Sequence, residues 1–435
     1  MRVDPTIRRI GDYVAATENE ISIDEFIFKL VHLEPKTVGF LPRLSKWFKL
    51  GRDLPVVTFC AWSFTRYFWL VGGNTVFFFL QFFPRWLGAS KVSRVTPGDE
   101  GYILALSSRV GDIVKLRHFV DLPNTWVTVP WAPLKQVPST AICLDVFALL
   151  SRRDLWQAFC DAITATYSLF RRKRTSKWVL QSYTAFRWFA VRAAIDKLPG
   201  YIVMANHFDR WAVLVDSSVW AQKCAVASSG DFRRRELILI QHGSLGSLGG
   251  DKADSTHELR LYRKLRSVTH LYAYGAEAAY AFKNDVLSAG CRQRGLKVSF
   301  FKPSIELNAD DDSTGLKLLF VGHPLCEPLH RHIFLFLCDR YDFKAYYKPH
   351  PTVPMSASMR RLGWVIIDNP SIFPAVDFLI SYQSTLVIEY AGAGVPAAVH
   401  PINLEAENSI EFIGTLTTKI DALRSHCAAR VGSAN

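Results

Sequence analysis

Short apolar runs that end in polar residues recur along the second half of the chain. Tyr201 to Met204, Leu237 to Ile240 and Leu271 to Tyr274 are three of these runs, and helical stretches separate them. A strand, a polar tip and a helix in repetition are typical of a parallel sheet with crossover helices. From Pro199 onward, the pattern therefore predicts an α/β fold.

The same pattern resumes beyond Asn308 to Gly315, a polar and acidic segment that we interpret as a connection between domains. Five further short strands are predicted there, at Leu318–Val321, Phe343–Tyr347, Trp364–Ile367, Phe378–Ile380 and Ala397–Val399. We therefore predict two Rossmann-like, doubly wound domains, at residues 151–307 and 316–435. Residues 1–150 form an N-terminal region of unspecified topology, either part of the first domain or appended to it.

Two segments of the first 200 residues have a clear apolar pattern. From Asp154 to Leu198 the apolar side chains recur at helical spacing. Tyr67 to Phe83 is an uncharged, Phe-rich stretch that is shorter than the about 20 apolar residues of a spanning helix, and Gly72 and Gly73 interrupt it. We expect this stretch to form a buried hairpin or helix pair, with an in-plane membrane contact and a membrane span as the alternatives.

Charge is unevenly distributed along the 435 residues. Lys and Arg number 52 against 39 Asp and Glu, and residues 1–300 hold 41 of the basic and 25 of the acidic residues. An anionic partner is therefore expected to meet the N-terminal two-thirds. The densest cations are Arg171, Arg172, Lys173, Arg174 and Lys177. They indicate either a solvated helix end or a patch that docks on anionic lipid; nucleic acid is disfavoured because no nucleic-acid-binding motif accompanies them.

The composition excludes a disordered or fibrous chain and a small protein held together by disulfides or zinc. With 49% hydrophobic residues the chain has ample material for a core. Its eight cysteines are scattered without a close pair, so neither a zinc site nor a disulfide framework is predicted. The start of the chain lacks the apolar segment of a secretory signal, and a cytoplasmic location is expected.

Candidate chemistry lies directly after the apolar runs, because ligands of parallel sheets bind at the carboxyl ends of the strands. Five polar tips are predicted: Asn206 to Arg210, Gln241 to Ser244, Gly322 to Pro324, Lys348 to Pro351 and Ser381 to Thr385. Together they provide histidines, a lysine, hydroxyl groups and a carboxylate.

The last two tips suit a phosphate. Ser384 and Thr385 precede an apolar-periodic helix, whose N-terminus offers free N–H groups and a partial positive charge, although a plain N-cap explains them equally well. Lys348 adds a cation, and His350 can hold a phosphate or protonate a departing phosphate oxygen. Glu389, on the predicted helix, can accept hydrogen bonds from ribose hydroxyls.

These motifs resemble those of bacterial surface-polysaccharide glycosyltransferases of GT-B fold. The resemblance rests on Gln241-His242-Gly243, on Lys348 to Pro351, and on Ser381 to Ala391 with Gly394 to Pro396. The family includes capsule and lipopolysaccharide enzymes that use CMP-linked sugars such as sialic acid or Kdo, and it borders on the teichoic-acid glycerophosphotransferases. Thr385 stands where those phosphotransferases have a second serine, and residues 1–150 have no counterpart.

The resemblance implies an inverting glycosyltransferase without a metal or other cofactor, peripheral on the inner membrane. It also implies that a nucleotide sugar, with a CMP-linked sugar favoured, binds residues 316–435 and that a glycan or lipid-linked glycan acceptor meets the basic N-terminal region. The implied donor-binding residues are Gly322, His323, Lys348, Ser381, Gln383, Ser384, Thr385 and Glu389, with His350 acting on the phosphate. His242 is the expected base, with Asp209 and Asp231 in reserve.

Two alternative functions stay open. One is transfer of a polyol phosphate from a CDP-linked donor, and the other is a non-catalytic sugar-nucleotide-binding subunit of a polysaccharide assembly complex. No Asp-x-Asp is predicted at a strand end, since Asp310 to Asp312 lie in the presumed connection. Protein donors are therefore expected to neutralise the leaving phosphate.

Overall fold

The computed structural model describes residues 4–30, 34–42, 54–89, 101–107, 110–132, 137–229, 235–243, 260–302, 305–308, 315–350, 355–369 and 371–432. The chain divides into two compact units, Met1–His242 with Thr256–Phe301 and Gly243–Ser255 with Lys302–Asn435. Each unit contains one parallel sheet, of seven strands in the first and five in the second. The predicted α/β class is confirmed, and both sheets are compatible with Rossmann-like domains.

The seven strands of the first unit are β1 (Gly101–Ala105), β2 (Thr125–Thr128), β3 (Ile142–Asp145), β4 (Tyr201–Met204), β5 (Leu237–Ile240), β6 (Val268–Ala273) and β7 (Lys297–Phe300). Their order across the sheet is β3-β2-β1-β4-β5-β6-β7. Three of the strands come from residues 101–145, so this part of the N-terminal region belongs to the same sheet as β4 to β7. The strand order reverses between β1 and β4.

The helices of the first unit are α1 (Pro5–Leu30), α2 (Pro35–Val38), α3 (Pro55–Phe68), α4 (Asn74–Gly88), α5 (Gly111–Leu116), α6 (Arg152–Arg171), α7 (Ala185–Ile195), α8 (Arg210–Ser229), α9 (Ala276–Ala281) and α10 (Ala289–Gln293). A reciprocal pair of hydrogen bonds between Ser151 and Asp154 caps α6. The helical period predicted from Asp154 onward corresponds to α6, a 3₁₀ segment at Ser176–Thr184 and α7.

An apolar cluster on the sheet and a buried pair of ion pairs around Asp12 hold the first unit together. Ile103, Trp126 and Val203, from three adjacent strands, are completely buried in one apolar cluster. On the helical side, the carboxylate of Asp12 on α1 is buried and forms ion pairs with Arg192 and Arg263. The buried charge is thus compensated on both sides, as a buried carboxylate requires.

The second unit contains β8 (Leu316–Val321), β9 (Phe343–Lys348), β10 (Val365–Ile366), β11 (Phe378–Tyr382) and β12 (Ala397–His400), in the order β10-β9-β8-β11-β12. Its helices are α11 (Glu327–Cys338), α12 (Ala357–Arg360), α13 (Thr385–Gly392) and α14 (Ile410–Gly432). All five predicted strands are present. Most of the predicted connection, including Asp310 to Asp312, lies outside the described residues.

Successive residues of the central strand β8 point to opposite faces of this sheet. Leu318 and Phe320 belong to one apolar cluster, together with Ile333 of α11. Leu319 and Val321 belong to another. The sheet is therefore covered on both faces, which is the arrangement of a doubly wound domain.

The aromatic stretch Tyr67 to Phe83 differs from its prediction. The expected helix pair is present as α3 and α4, joined by a π-helical turn at Trp69–Gly73 in which Gly72 has a φ of 155°. The expected burial is wrong, because Tyr67, Phe68 and Leu80 are among many exposed apolar side chains of the pair. Within the described part of the chain, no helix combines the length and the apolar character needed to cross a membrane.

Candidate functional site

In the first unit, polar residues follow β4 and β5 beside the position where the strand order reverses. Ligands of α/β sheets bind beside such a position, at the carboxyl ends of the strands. Asn206 and His207 come after β4, and Gln241 and His242 come after β5. Three of these side chains are buried, and His242 is half-buried.

His207 and His242 form a hydrogen-bonded pair. The backbone N–H of His242 donates to Nε2 of His207 at 2.8 Å, and Nδ1 of His242 lies 2.9 Å from the same Nε2. The Ile240 carbonyl oxygen lies 3.3 Å from the same Nε2 and would need a proton there, but the N–H of His242 is closer and can only donate. We therefore assign the lone pair to Nε2 of His207, and with it a proton to Nδ1 of His242. Nε2 of His242 then has the lone pair that a general base requires.

Asp209 is occupied at the start of α8. One carboxylate oxygen accepts from the backbone N–H groups of Trp211 and Ala212, both at 3.0 Å, and the other accepts from the Asn206 amide at 2.7 Å. This is the geometry of an N-cap. Asp231, the other reserve base, lies outside the described residues.

The remaining residues of these two tips stabilise the scaffold. Oε1 of buried Gln241 accepts from the N–H of Tyr274 at 2.8 Å and so joins the end of β5 to the end of β6. Arg210 is buried in an ion pair with Glu20 and donates to the Gln181 carbonyl at 3.0 Å. These contacts hold the side chains of Gln241 and Arg210 within the protein rather than toward a ligand.

In the second unit, the strand order reverses between β8 and β11, and Gly322 follows β8 directly. Its N–H donates to the Lys348 carbonyl at 2.8 Å. A Cβ atom at this position would lie 2.4 Å from the ring of Tyr347. Glycine is therefore required by the close packing of this aromatic ring.

Three aromatic side chains meet at the ends of β8, β9 and β11. The ring of His323 lies 5.2 Å from that of His350 and 5.6 Å from that of Tyr382. Burial, and secondly the proximity of His350, lower the pKa of His323 to about 4. Its Nδ1 accepts from the N–H of Leu325 at 3.3 Å, so at neutral pH His323 is an uncharged ring with its proton on Nε2.

The N-terminus of α13 follows β11 at the same edge. The hydroxyl of Ser384 accepts from the N–H of Leu386 at 3.3 Å and caps the helix, and Thr385 is its first residue. Gln383 is exposed, whereas Ser384 and Thr385 are half-buried. Ser381 is completely buried and donates to the Tyr382 carbonyl at 2.6 Å. Residues 383–385 are thus accessible to a ligand, and Ser381 supports the loop.

Lys348 is directed into the protein. Its ammonium group is largely buried and donates to the carbonyl oxygens of Asn369 and Ile372, at 3.0 and 2.7 Å. Burial lowers the pKa of Lys348 to about 8, and the charge of Glu389, itself buried, opposes this shift. The Lys348 ammonium group therefore holds the carbonyl groups of Asn369 and Ile372 rather than facing a ligand.

One group of potential metal ligands occurs among the described residues. The sulfur of Cys326 and imidazole nitrogens of His330 and His400 lie within 4.8 Å of one another, and all three residues are buried. The two Nε2 atoms are 2.9 Å apart, and Nδ1 of His400 donates to the Pro401 carbonyl at 2.8 Å. Burial raises the pKa of the Cys326 thiol to about 12. We assign these uncharged groups to the core of the second unit.

The predicted basic cluster, Arg171 to Lys177, lies at and beyond the C-terminal end of α6 and is exposed. Arg172 and Arg174 are near the carboxylates of Glu18 and Glu25, at 4.0 and 3.8 Å. For Arg171 and Lys173 there is no carboxylate partner among the described residues. Within the described residues, the cluster is therefore only partly compensated by carboxylates.

Sequence reasoning did not select His207 or Tyr382 as site residues. Both occur in polar tips, but the sequence does not reveal that His207 contacts a histidine 35 residues later. The available signal is that each lies in a polar tip, His207 three residues after the end of β4 and Tyr382 as the last residue of β11.

Comparison of the chain with protein-family models finds no match, and comparison with curated protein sequences finds none either.

Proposed function

We propose that this protein is an inverting, metal-independent glycosyltransferase of the GT-B type, with a nucleotide-linked sugar as donor. The second unit binds the donor, and the first unit supplies the base that deprotonates the acceptor hydroxyl. A CMP-linked sugar is the favoured donor, and a surface polysaccharide or glycolipid is the favoured acceptor. Support comes from the motifs, from the two parallel sheets and from the arrangement of histidines at their edges.

The His207–His242 pair is the observation that carries the proposal. Transfer to a hydroxyl needs a base whose pKa is close to the working pH, and the imidazole side chain is of this kind. The 2.9 Å contact holds the Nδ1 proton of His242 on the side of His207. The ring nitrogen opposite, Nε2, is therefore in the form that accepts a proton from the acceptor.

The donor phosphate is proposed to bind at the edge where β8, β9 and β11 end. Nε2–H of His323, the ring of His350 and the N-terminal amides of α13 are donors of the kind that a phosphate requires. Fixed donors of this kind stabilise the negative charge that develops on a leaving nucleotide. His350 is proposed to assist the departure of the phosphate oxygen.

The basic cluster is proposed to hold the enzyme at the cytoplasmic face of the inner membrane, where a lipid-linked acceptor is accessible. Anionic headgroups attract such cations over about one Debye length, roughly 8 Å at physiological salt. This role is favoured by Arg171 and Lys173, which have no carboxylate partner among the residues that the structure describes.

Incubation of the purified protein with CMP-sugars, UDP-sugars and CDP-glycerol tests the proposal. Release of CMP from a CMP-sugar, together with formation of a glycosylated acceptor, is the expected result. Turnover of CDP-glycerol alone would indicate a polyol phosphotransferase. Binding of sugar nucleotide without any turnover would indicate a non-catalytic subunit, and binding of none of them would contradict the proposed donor site.

A further inference from the structure

The outer face of the pair α3 and α4 is apolar although it is exposed. Thirteen large apolar side chains between Val56 and Leu87 are exposed, among them Phe64 at 74% and Leu80 at 67%. Soluble monomers rarely expose contiguous apolar patches larger than about a few hundred Å², and such patches mark sites of interaction with a protein, a ligand or a membrane. We name this surface, from Val56 to Leu87, the apolar helix face.

The inner side of the same helices is firmly attached to the first unit. The rings of Phe82 and Phe159 are 5.2 Å apart, and Phe82 is buried. Trp69 is also buried, and its indole N–H donates to the hydroxyl of Ser182 at 2.8 Å. Among the described residues, a separate inner row of the pair thus forms the contact with the first unit, and the exposed apolar residues are additional to it.

The apolar helix face adjoins the basic cluster. Nε of Arg66 donates to the Ser176 carbonyl at 3.4 Å, and the hydroxyl of Tyr167 donates to the Leu70 carbonyl at 3.3 Å. These contacts join the middle of the helix pair to the end of α6, from which the cluster extends. From Leu54 to Gly88 the sequence contains two arginines and no acidic residue.

We infer that the apolar helix face inserts into the interfacial layer of an anionic lipid bilayer, with the basic cluster on the headgroups. Helices of 14 and 15 residues are about 21 and 22 Å long, too short for a hydrocarbon core of about 30 Å, and suit a position parallel to the surface. Apolar side chains bordered by cations are the pattern of such interfacial helices.

Charge favours lipid over a second copy of the chain. A symmetric dimer places this face against an identical one, which contains two arginines and no acidic residue, so the second copy's face offers no opposite charge to the basic cluster. An anionic bilayer instead satisfies the apolar side chains and the cations at once. This inference refines the proposed membrane contact, and its test requires no glycosyl transfer.

Flotation of the full chain with vesicles of equal parts phosphatidylcholine and phosphatidylglycerol tests the inference. We expect the wild type to bind, and high salt to weaken the binding without abolishing it, because apolar contacts are not screened. The variant Phe64→Gln with Leu80→Gln should bind about a hundredfold less. The control Phe119→Gln with Phe300→Gln removes exposed rings elsewhere, at 73% and 60% exposure, and should bind like the wild type.

Two outcomes would overturn the inference. Binding that high salt abolishes and that Phe64→Gln with Leu80→Gln leaves unchanged would assign attachment to the basic cluster alone, with the proposed glycosyltransferase unaffected. Absence of binding together with a dimer that this variant dissociates would assign the face to a second copy.

A second measurement leaves Phe64 and Leu80 in place. Cys60 is exposed on α3, so an environment-sensitive fluorophore on the cysteines of the wild type should report an apolar surrounding when vesicles are added. This change should be smaller in Cys60→Ser labelled in the same way. An equal change in both proteins would also count against insertion.

Discussion

Nδ1 of His242 lies 2.9 Å from Nε2 of His207, and the two histidines lie just beyond the ends of the neighbouring strands β5 and β4. His207 is buried, and its ring also meets the edge of Phe282 at 4.8 Å. His207 is therefore fixed by packing, and it in turn fixes the ring of His242. This gives His207 the role of a positioning residue, whereas His242 is the residue proposed to meet the acceptor.

Replacement of His207 by alanine should lower kcat about tenfold to a hundredfold and leave KM for the donor nearly unchanged. The reason is that His242 loses the partner that fixes its protonated nitrogen. The pH profile of kcat should also move, because the proton affinity of His242 changes. A lower activity with an unmoved pH profile would indicate a merely structural effect of His207.

The N-terminus of α13 yields a second prediction. Ser384→Ala with Thr385→Ala should weaken nucleotide binding first, because both hydroxyls lie at the predicted phosphate site. His350→Ala should instead abolish transfer while the protein stays folded. Titration calorimetry with CMP and a transfer assay distinguish the two effects. Normal nucleotide binding by the double variant would mean that Ser384 serves only as the helix cap.

Gly322 yields a prediction about packing at the same edge. Gly322→Ala should reduce the free energy of unfolding by about 1–3 kcal/mol, because the new methyl group must displace the ring of Tyr347. Gly363→Ala is the matched control, since a Cβ atom there meets no atom within 4 Å. Urea unfolding of both variants measures the difference. Equal stability of the two would show that the Tyr347 ring moves aside without cost.

The strands β4 to β6 and β8 to β12 and the capping of α13 were predictable, because apolar runs and an N-cap serine are local signals, whereas β1 to β3 and β7 were not predicted. The hydrogen bond of His207 to His242 was not, because it depends on which strands become neighbours. The sequence also could not predict that Lys348 points into the protein, because it shows a cation but not the carbonyl oxygens that accept its hydrogen bonds. For Phe64 and Leu80 the sequence shows only apolar character, which a protein core and a lipid surface satisfy equally well.

The histidines of the second unit predict a loss of stability in acid. Burial lowers the pKa of His323 to about 4 and also lowers the pKa values of His330 and His400, in each case below the ordinary 6.5. Below pH 6.5 the unfolded chain therefore binds more protons than the folded chain. The stabilisation is present above pH 6.5 and is lost as the pH falls toward 4.

Thermal unfolding followed by circular dichroism between pH 7.5 and 4.5 measures this effect, with about two-thirds of that range below the ordinary histidine pKa of 6.5. His323→Gln should melt with a weaker pH dependence than the wild type. The control His332→Gln replaces an exposed histidine of α11 and should retain the wild-type dependence. The same dependence in all three proteins would assign the acid effect to other groups.

The most direct test of the proposed function measures CMP-sugar binding and glycosyl transfer on the same variants. We predict that His242→Ala binds the donor as the wild type does and loses transfer by about a hundredfold to ten-thousandfold, the usual effect of removing a general base. Asp209→Asn, which preserves the cap of α8, should retain transfer. Full transfer by His242→Ala, or loss of transfer in Asp209→Asn with donor binding intact, would contradict the assignment of His242 as the base.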